Sequence, residues 1–141
     1  MTDDGRRIVA RVLLRIRGMT HARIGLGKSG ENLACRELAR RGYEIVARRW
    51  RSRRGEIDII ARDGATLVFV EVKARDGRAF GAPAEAVTPL KQRRLTQLAT
   101  HYMALNRITT GLCRFDVVSI QLGSGEPVIE VYKNAFDALG I

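Results

Sequence analysis

One stretch constrains this chain more than any other: GEIDIIARDGATLVFVEVKAR, residues 55–75. Two β-branched, apolar segments flank Asp63–Gly64, which reads as an antiparallel hairpin closed by a short turn. Yet Glu71 and Lys73 interrupt the second segment, where the apolar run should enter a core. Isolated ions are costly there, so they must be paired, hydrated or bound to a metal. An even loop such as Asp63–Gly64 alone fixes the parity of pairing. Asp58 then lies opposite Phe69 and diagonal to Glu71, on the face that Glu71 and Lys73 share. Diagonal neighbours sit roughly 7–8 Å apart, within reach of one shared ion. An odd loop would put Asp58 on the other face.

Elements on either side of the hairpin carry the same pattern. Ser29 is placed to cap a helix that runs to about Arg41 and ends at Gly42. Turned at 100° per residue, its apolar stripe is Ala34, Cys35, Leu38 and Ala39, with Glu31 at the centre of that stripe. A glutamate in the first turn complements the helix dipole, which explains its position but not its face. A strand over YEIVARRW follows. Beyond the hairpin, residues 80–87 read as a loop. Thr88–Pro89 starts the longest helix, which runs to about Leu105. Leu90, Leu95, Leu98, Tyr102 and Leu105 give its buried side, and Lys91 falls in the middle of it. Lys91 either packs its stem while the amine reaches water or contacts a phosphate. CRFDVVSIQL and PVIEVYKN are two further strands. The order of helix, three strands, helix and two strands defines a layered α/β domain over 29–141. Residues 1–28 form a separate basic arm, either flexible or an amphipathic helix in which Ile8, Val9, Val12, Leu13 and Ile16 share a face.

Charge is unevenly distributed. The net charge is +10, and residues 1–54 hold 15 Lys/Arg against 5 Asp/Glu, while residues 55–141 hold 10 of each. A basic half beside a neutral half points to a polyanion. RRWRSRRG is the densest part. There Arg48, Arg49, Arg51, Arg53 and Arg54, with Lys28 and Lys91, are the candidate nucleic-acid contacts, and Trp50 can stack on a base. The alternative turns Trp50 inward. Cys35 and Cys113 lie in apolar-periodic segments and read as reduced core residues, which suits a cytoplasmic location. His21 and His101 are far apart and show no zinc spacing. No apolar run approaches the length of a transmembrane helix.

Three carboxylates around one point repel each other, and a hard divalent cation resolves the conflict. Mg²⁺, or Mn²⁺ in its place, takes oxygen ligands from carboxylates, water and substrate phosphate. Glu31, Asp58 and Glu71 are the candidate ligands, with Lys73 beside them to stabilise developing charge or orient water. That combination suits metal-assisted phosphodiester hydrolysis. The competing explanation is a salt bridge from Lys73 to Glu71 or Asp58, with no chemistry.

Asp58 followed by Glu71-Val72-Lys73 on the next strand resembles the PD-(D/E)xK nuclease superfamily. The preceding helix with Glu31 is similar to its archaeal Holliday-junction resolvase branch. More closely, GE-x-x-A-x-x-x-L-x-x-x-GY (30–43), GEIDIIARD, LVFVEVKAR, FG-x-P-x-EAV and K-x-x-R (91–94) resemble the YraN-like family of small bacterial proteins. The match covers about 29–134. It implies a restriction-endonuclease-like three-layer fold, a central mixed sheet of about five strands flanked by helices. It also implies Glu31, Asp58 and Glu71 as metal ligands and Lys73 as the catalytic lysine. Gly55-Glu56 and Lys91 match accessory positions. Asp58 follows Ile57 rather than the proline of the superfamily motif. The expected activity is divalent-metal-dependent nuclease action on DNA, including branched or distorted DNA. The alternative is a catalytically silent nucleic-acid-binding module of the same fold. The resolvase likeness leaves a homodimer open.

Overall fold

The computed structural model describes residues 12–13, 28–76, 87–123 and 125–138. Its regular elements run β1 (Val12–Leu13), α1 (Lys28–Arg40), β2 (Glu44–Ser52), β3 (Gly55–Asp63), β4 (Thr66–Asp76), α2 (Pro89–Leu105), β5 (Cys113–Leu122) and β6 (Val128–Phe136).

Both helices stop or start where local chemistry dictates. At the end of α1, Gly42 N–H bonds to Ala39 O and Tyr43 N–H to Leu38 O, both at 3.0 Å. This paired closure satisfies carbonyls that the helix would otherwise orphan. Tyr43 and Leu38 then pack in the same apolar layer. At the start of α2, the Thr88 hydroxyl accepts from Lys91 N–H at 3.2 Å, with Pro89 as the first helical residue. α1 begins at Lys28, so Ser29 lies within the helix rather than at its cap.

The strands form one sheet in the order β1-β6-β5-β4-β3-β2. β4 and β5 are parallel and joined through α2, while the other neighbours are antiparallel. A parallel pair needs such a crossover. One face of the sheet packs against Leu33, Ala34 and Leu38 of α1, using Ile59, Val68, Val70, Val118, Ile120 and Ile129. The other face packs against Leu95, Leu98, Ala99 and Tyr102 of α2, using Ile57, Ile60, Phe69, Phe115 and Val117. The chain therefore has the three-layer α/β architecture of restriction-endonuclease-like folds. Five long strands are extended by the two-residue β1, which pairs Val12 with Ile129 and Leu13 with Val128.

Several expectations shift. Val12 and Leu13 are extended, not helical, and the rest of the arm before Lys28 lies outside the described residues. The hairpin turn is Gly64–Ala65, because Asp63 pairs with Thr66. Gly64 has φ +61, which fits the first central position of a type II′ turn. The parity of pairing expected for the hairpin holds from Ile59 to Asp63, but the register moves by two residues and the ladder stops short of Asp58. Leu90 and Leu105, in the first and last turns of α2, are exposed at 63% and 62%. On α1, Ala39 is exposed and Leu33 takes its place in the core. Trp50 turns inward, edge-on to His101 and Tyr102 of α2 at 5.7 and 5.4 Å between ring centroids. It packs with the α2 layer rather than offering a stacking face. Cys113 is exposed at the start of β5 and Cys35 is half-buried, and both are free thiols.

An ionic knot centred on buried Asp116 ties β3, β5 and β6 together at the turn end of the hairpin. Asp116, fully buried, accepts from the Tyr43 hydroxyl at 2.8 Å, Arg114 Nε at 2.8 Å and Asn134 N–H at 2.9 Å. Arg114 also bonds Asp63 at 2.8 Å, and Lys133 Nζ lies 3.2 Å from the same Asp63 oxygen. Burial and the Asp116 carboxylate push the Tyr43 hydroxyl strongly up, so it stays a donor.

Candidate functional site

β3 and β4 pair only as far as Ile59–Val70. Beyond that point β3 continues against β2 to Gly55, and β4 continues against β5 to Asp76. The two strands separate, and the sheet opens between residues 55–58 and 71–76. Asp58 stands at the fork, level with Glu71 if the register is extended by one rung. Its carboxylate accepts the Val72 N–H at 2.8 Å, so a side chain replaces the missing strand partner.

The alternation of side chains also breaks here. Ile57 and Ile60 both pack in the α2 layer, while Ile59 packs in the α1 layer. On β2, Ala47 and Trp50, three residues apart, likewise share the α2 layer. Arg49 lies between the rungs Arg48–Ile59 and Trp50–Ile57, across from Asp58, and has φ +51. A left-handed arginine in mid-strand is unfavourable, and it accounts for the reset of the alternation.

Glu31 arrives from the α1 side. A Cβ on Gly30 would stand 3.0 Å from Ala74 Cβ, so the helix meets β4 without a side chain between them. That approach brings Glu31, 6% exposed, down onto the fork. Glu31, Glu56 and Asp58 each offer a carboxylate oxygen, all within 4.8 Å of one another. Glu71 and Lys73 belong to the α2 side, since Phe69 packs there and Val70 in the opposite layer. The opening lets carboxylates from both sides of the sheet converge on Asp58.

The electrostatics reflect that convergence. Burial, followed by the Glu71 carboxylate and then Glu31, pushes Asp58 up to about 8 despite the Val72 N–H. Glu71 is 7% exposed, and its Oε2 accepts no hydrogen bond. Lys91 Nζ lies 3.1 Å from that oxygen, a charge contact without the alignment of a hydrogen bond. Burial first, then the neighbouring Lys91 charge, holds Lys73 below the usual lysine range, with Glu71 and Asp58 opposing. Arg49 Nε donates to Glu31 Oε2 at 2.5 Å.

The structure thus brings together Glu31, Asp58, Glu71, Lys73, Lys91 and Arg49 from the sequence-based set. Glu56, noted in the sequence only as an accessory match, joins them, and its i,i+2 spacing from Asp58 was the available signal. Arg48, Arg51, Arg53 and Arg54 are exposed on the outer end of β2 and its turn. Arg48 bonds Asn32 Oδ1, and Arg51 Nε bonds Glu56 at 2.7 Å. The Lys28 side chain lies outside the described residues.

An oxygen-only donor set with a buried, unbonded carboxylate oxygen suits a hard divalent cation. The fit rests on Glu71 Oε2, on the crowding of three carboxylates and on the raised Asp58.

Comparison with known proteins agrees with the motifs. The model for the Uncharacterised protein family UPF0102 matches residues 30–120. A UPF0102 protein of Rhodococcus opacus (strain B4) is 50% identical over 114 residues, covering 80% of this chain and 97% of that protein. One from Symbiobacterium thermophilum is 50% identical with the same coverage of both chains. One from Anaeromyxobacter dehalogenans is 47% identical over 118 residues, covering 84% of this chain and 88% of its own. The motif likeness to the YraN-like family fits these relatives, and the chain belongs to the UPF0102 family.

Proposed function

We propose that this protein is a divalent-metal-dependent nuclease that hydrolyses phosphodiester bonds in DNA. The observation that carries the reading is the fork between β3 and β4. There half-buried Asp58 lies beside buried Glu71, Glu71 Oε2 lacks a hydrogen bond, and Lys73 lies two residues along the same strand. Glu31, Asp58 and Glu71 would hold Mg²⁺ or Mn²⁺. When bound, such a cation polarises a phosphoryl oxygen and lowers the pKa of water.

The chain's own groups supply the rest. To serve as a ligand, Asp58 would have to release the proton that its raised pKa favours. Lys73, lowered by burial and by Lys91, donates hydrogen bonds to water or to a non-bridging oxygen as negative charge develops. Hydrolysis adds water across one P–O bond, leaving a phosphate on one side of the break and a hydroxyl on the other. Arg48, Arg51, Arg53, Arg54 and Lys91 steer the backbone. Phosphate contacts carry no sequence information, so weak sequence preference and strong salt dependence are expected.

The test is incubation with labelled four-way junction, duplex, single-stranded DNA and RNA, each with Mn²⁺ and with EDTA. Cleavage should require the cation. Asp58→Asn and Lys73→Ala should each lower it by about 10²-fold or more while binding persists. Full activity in either variant removes the assignment.

A second reading has its own support. Arg49 pairs with Glu31 and Lys91 approaches Glu71, so part of the negative charge is already balanced. On that reading the protein binds nucleic acid without turnover. Thermal melting separates the two: a metal site raises Tm with Mn²⁺ by mass action, whereas a closed salt-bridge network does not.

A further inference from the structure

Arg49 differs from the arginines around it. Arg48 and Arg51 are exposed, but Arg49 folds back onto the carboxylates. Its Nε bonds Glu31, which holds its charge firmly, and Glu56 and Asp58 add to that field. The backbone that permits this is left-handed at φ +51, across the ladder from Asp58. Strained backbone of this kind clusters at functional sites. The Arg49 side chain is still 36% exposed, so solvent partly screens the ion pair.

A cation held by Glu31 and Asp58, with Glu71 or Glu56 beside them, must therefore share Glu31 with a positive group already on it. A divalent ion engages several carboxylate oxygens at once, whereas Arg49 makes one hydrogen bond among them, to Glu31 Oε2. Repulsion between the two drives the guanidinium outward, toward the side where Arg48 and Arg51 lie. A freed guanidinium binds phosphate oxygens in bidentate fashion.

We propose that Arg49 is the built-in counter-ion of the carboxylate site and exchanges with the divalent cation, turning an internal ion pair into a phosphate contact. Cation and nucleic acid then bind cooperatively, and each raises the affinity of the other by the same factor. This rests on the metal-centre reading above and adds a coupling that the reading does not require.

The full chain is tested by fluorescence anisotropy with a labelled DNA duplex, in EDTA and in Ca²⁺, with the intact substrate verified on a gel. Calorimetry without DNA gives cation affinity. Wild type should bind duplex at least about 5-fold tighter with Ca²⁺, relative to Asp58→Asn, which measures the non-specific effect of the ion. Arg49→Met should bind Ca²⁺ about 3- to 10-fold tighter than wild type, since a like charge has left. Its coupling to duplex should fall to the Asp58→Asn level. Arg49→Lys keeps the charge, so its cation affinity should stay near wild type while coupling weakens with the lost bidentate contact. If Arg49→Met fails to fold by circular dichroism, Arg49→Lys alone decides. Wild-type coupling in both variants, or unchanged Ca²⁺ affinity in Arg49→Met, overturns the proposal. Cation binding without any coupling in wild type overturns the proposal and leaves the metal centre standing. No cation binding in wild type removes both.

Discussion

Burial and the adjacent Glu71 carboxylate push Asp58 up to about 8, whereas an unfolded aspartate titrates near 3.9. The folded chain therefore holds a proton that the unfolded chain has lost between about pH 4 and pH 8. With more protons bound in the native state, stability falls as pH rises through that window. The site favours folding most below about pH 4, and its penalty levels off above about pH 8. Melting curves in EDTA should show Tm of Asp58→Asn gaining on wild type from pH 5 to pH 8. Parallel curves would contradict the burial argument. Cation affinity should rise over the same range, because the metal displaces that proton. Glu31, Asp58, Glu71 and Lys73 were legible in the sequence because ions in apolar faces violate the pattern. Glu56 was less so, since a charge at the start of a strand is ordinary. The inward turn of Arg49 had no local signal, because left-handed φ in mid-strand is a tertiary outcome that an arginine does not announce.

At the scale of elements, the position of Glu31 depends on how closely α1 meets β4. Gly30 allows that approach, with a would-be Cβ 3.0 Å from Ala74 Cβ. Gly30→Ala should cost about 1–3 kcal/mol as overpacking, measured by denaturant unfolding. It should also weaken Mn²⁺ binding, because the helix carries Glu31 with it. Adding Ala74→Gly to Gly30→Ala should recover a good part of both losses. Additive losses in the double variant would mean that the contact does not position the helix. Cap chemistry made α1 and α2 readable to within a residue or so, through Gly42 and the Thr88–Pro89 pair. The hairpin register was not readable at that precision. Asp63–Gly64 and Gly64–Ala65 are both acceptable turns, and the pairing of Asp63 with Thr66 chooses between them. Leu90 and Leu105 fit the helical stripe, but they fall in the first and last turns of α2, where the stripe alone does not decide burial.

Across the whole molecule, the ionic knot and the fork sit at different ends of the sheet, so stability and chemistry should separate. Asp116→Ala leaves half-buried Arg114 with Asp63 as its remaining ion partner and takes the acceptor from the Tyr43 hydroxyl and Asn134 N–H, and should cost about 1–3 kcal/mol. Mn²⁺ affinity at temperatures where the variant stays folded should be unchanged. The regional charge excess was visible in the sequence, and among the described residues Arg48, Arg51, Arg53 and Arg54 expose part of it along β2 and its turn. Replacing Arg51 or Arg53 by Met should reduce the slope of log affinity for DNA against log salt by about 1. Which strands would be neighbours was harder to read, since the parallel β4–β5 pairing depends on a crossover through α2. The opening of the sheet at Asp58 follows from that topology, with β4 drawn toward β5 and β3 toward β2. The most direct test is an anomalous difference map from crystals grown with Mn²⁺. A peak bonded to the Asp58 carboxylate, with Glu31 or Glu71 as co-ligand, is the predicted result. Full-occupancy crystals with no peak at the fork, or with Mn²⁺ bound elsewhere only, would contradict the account.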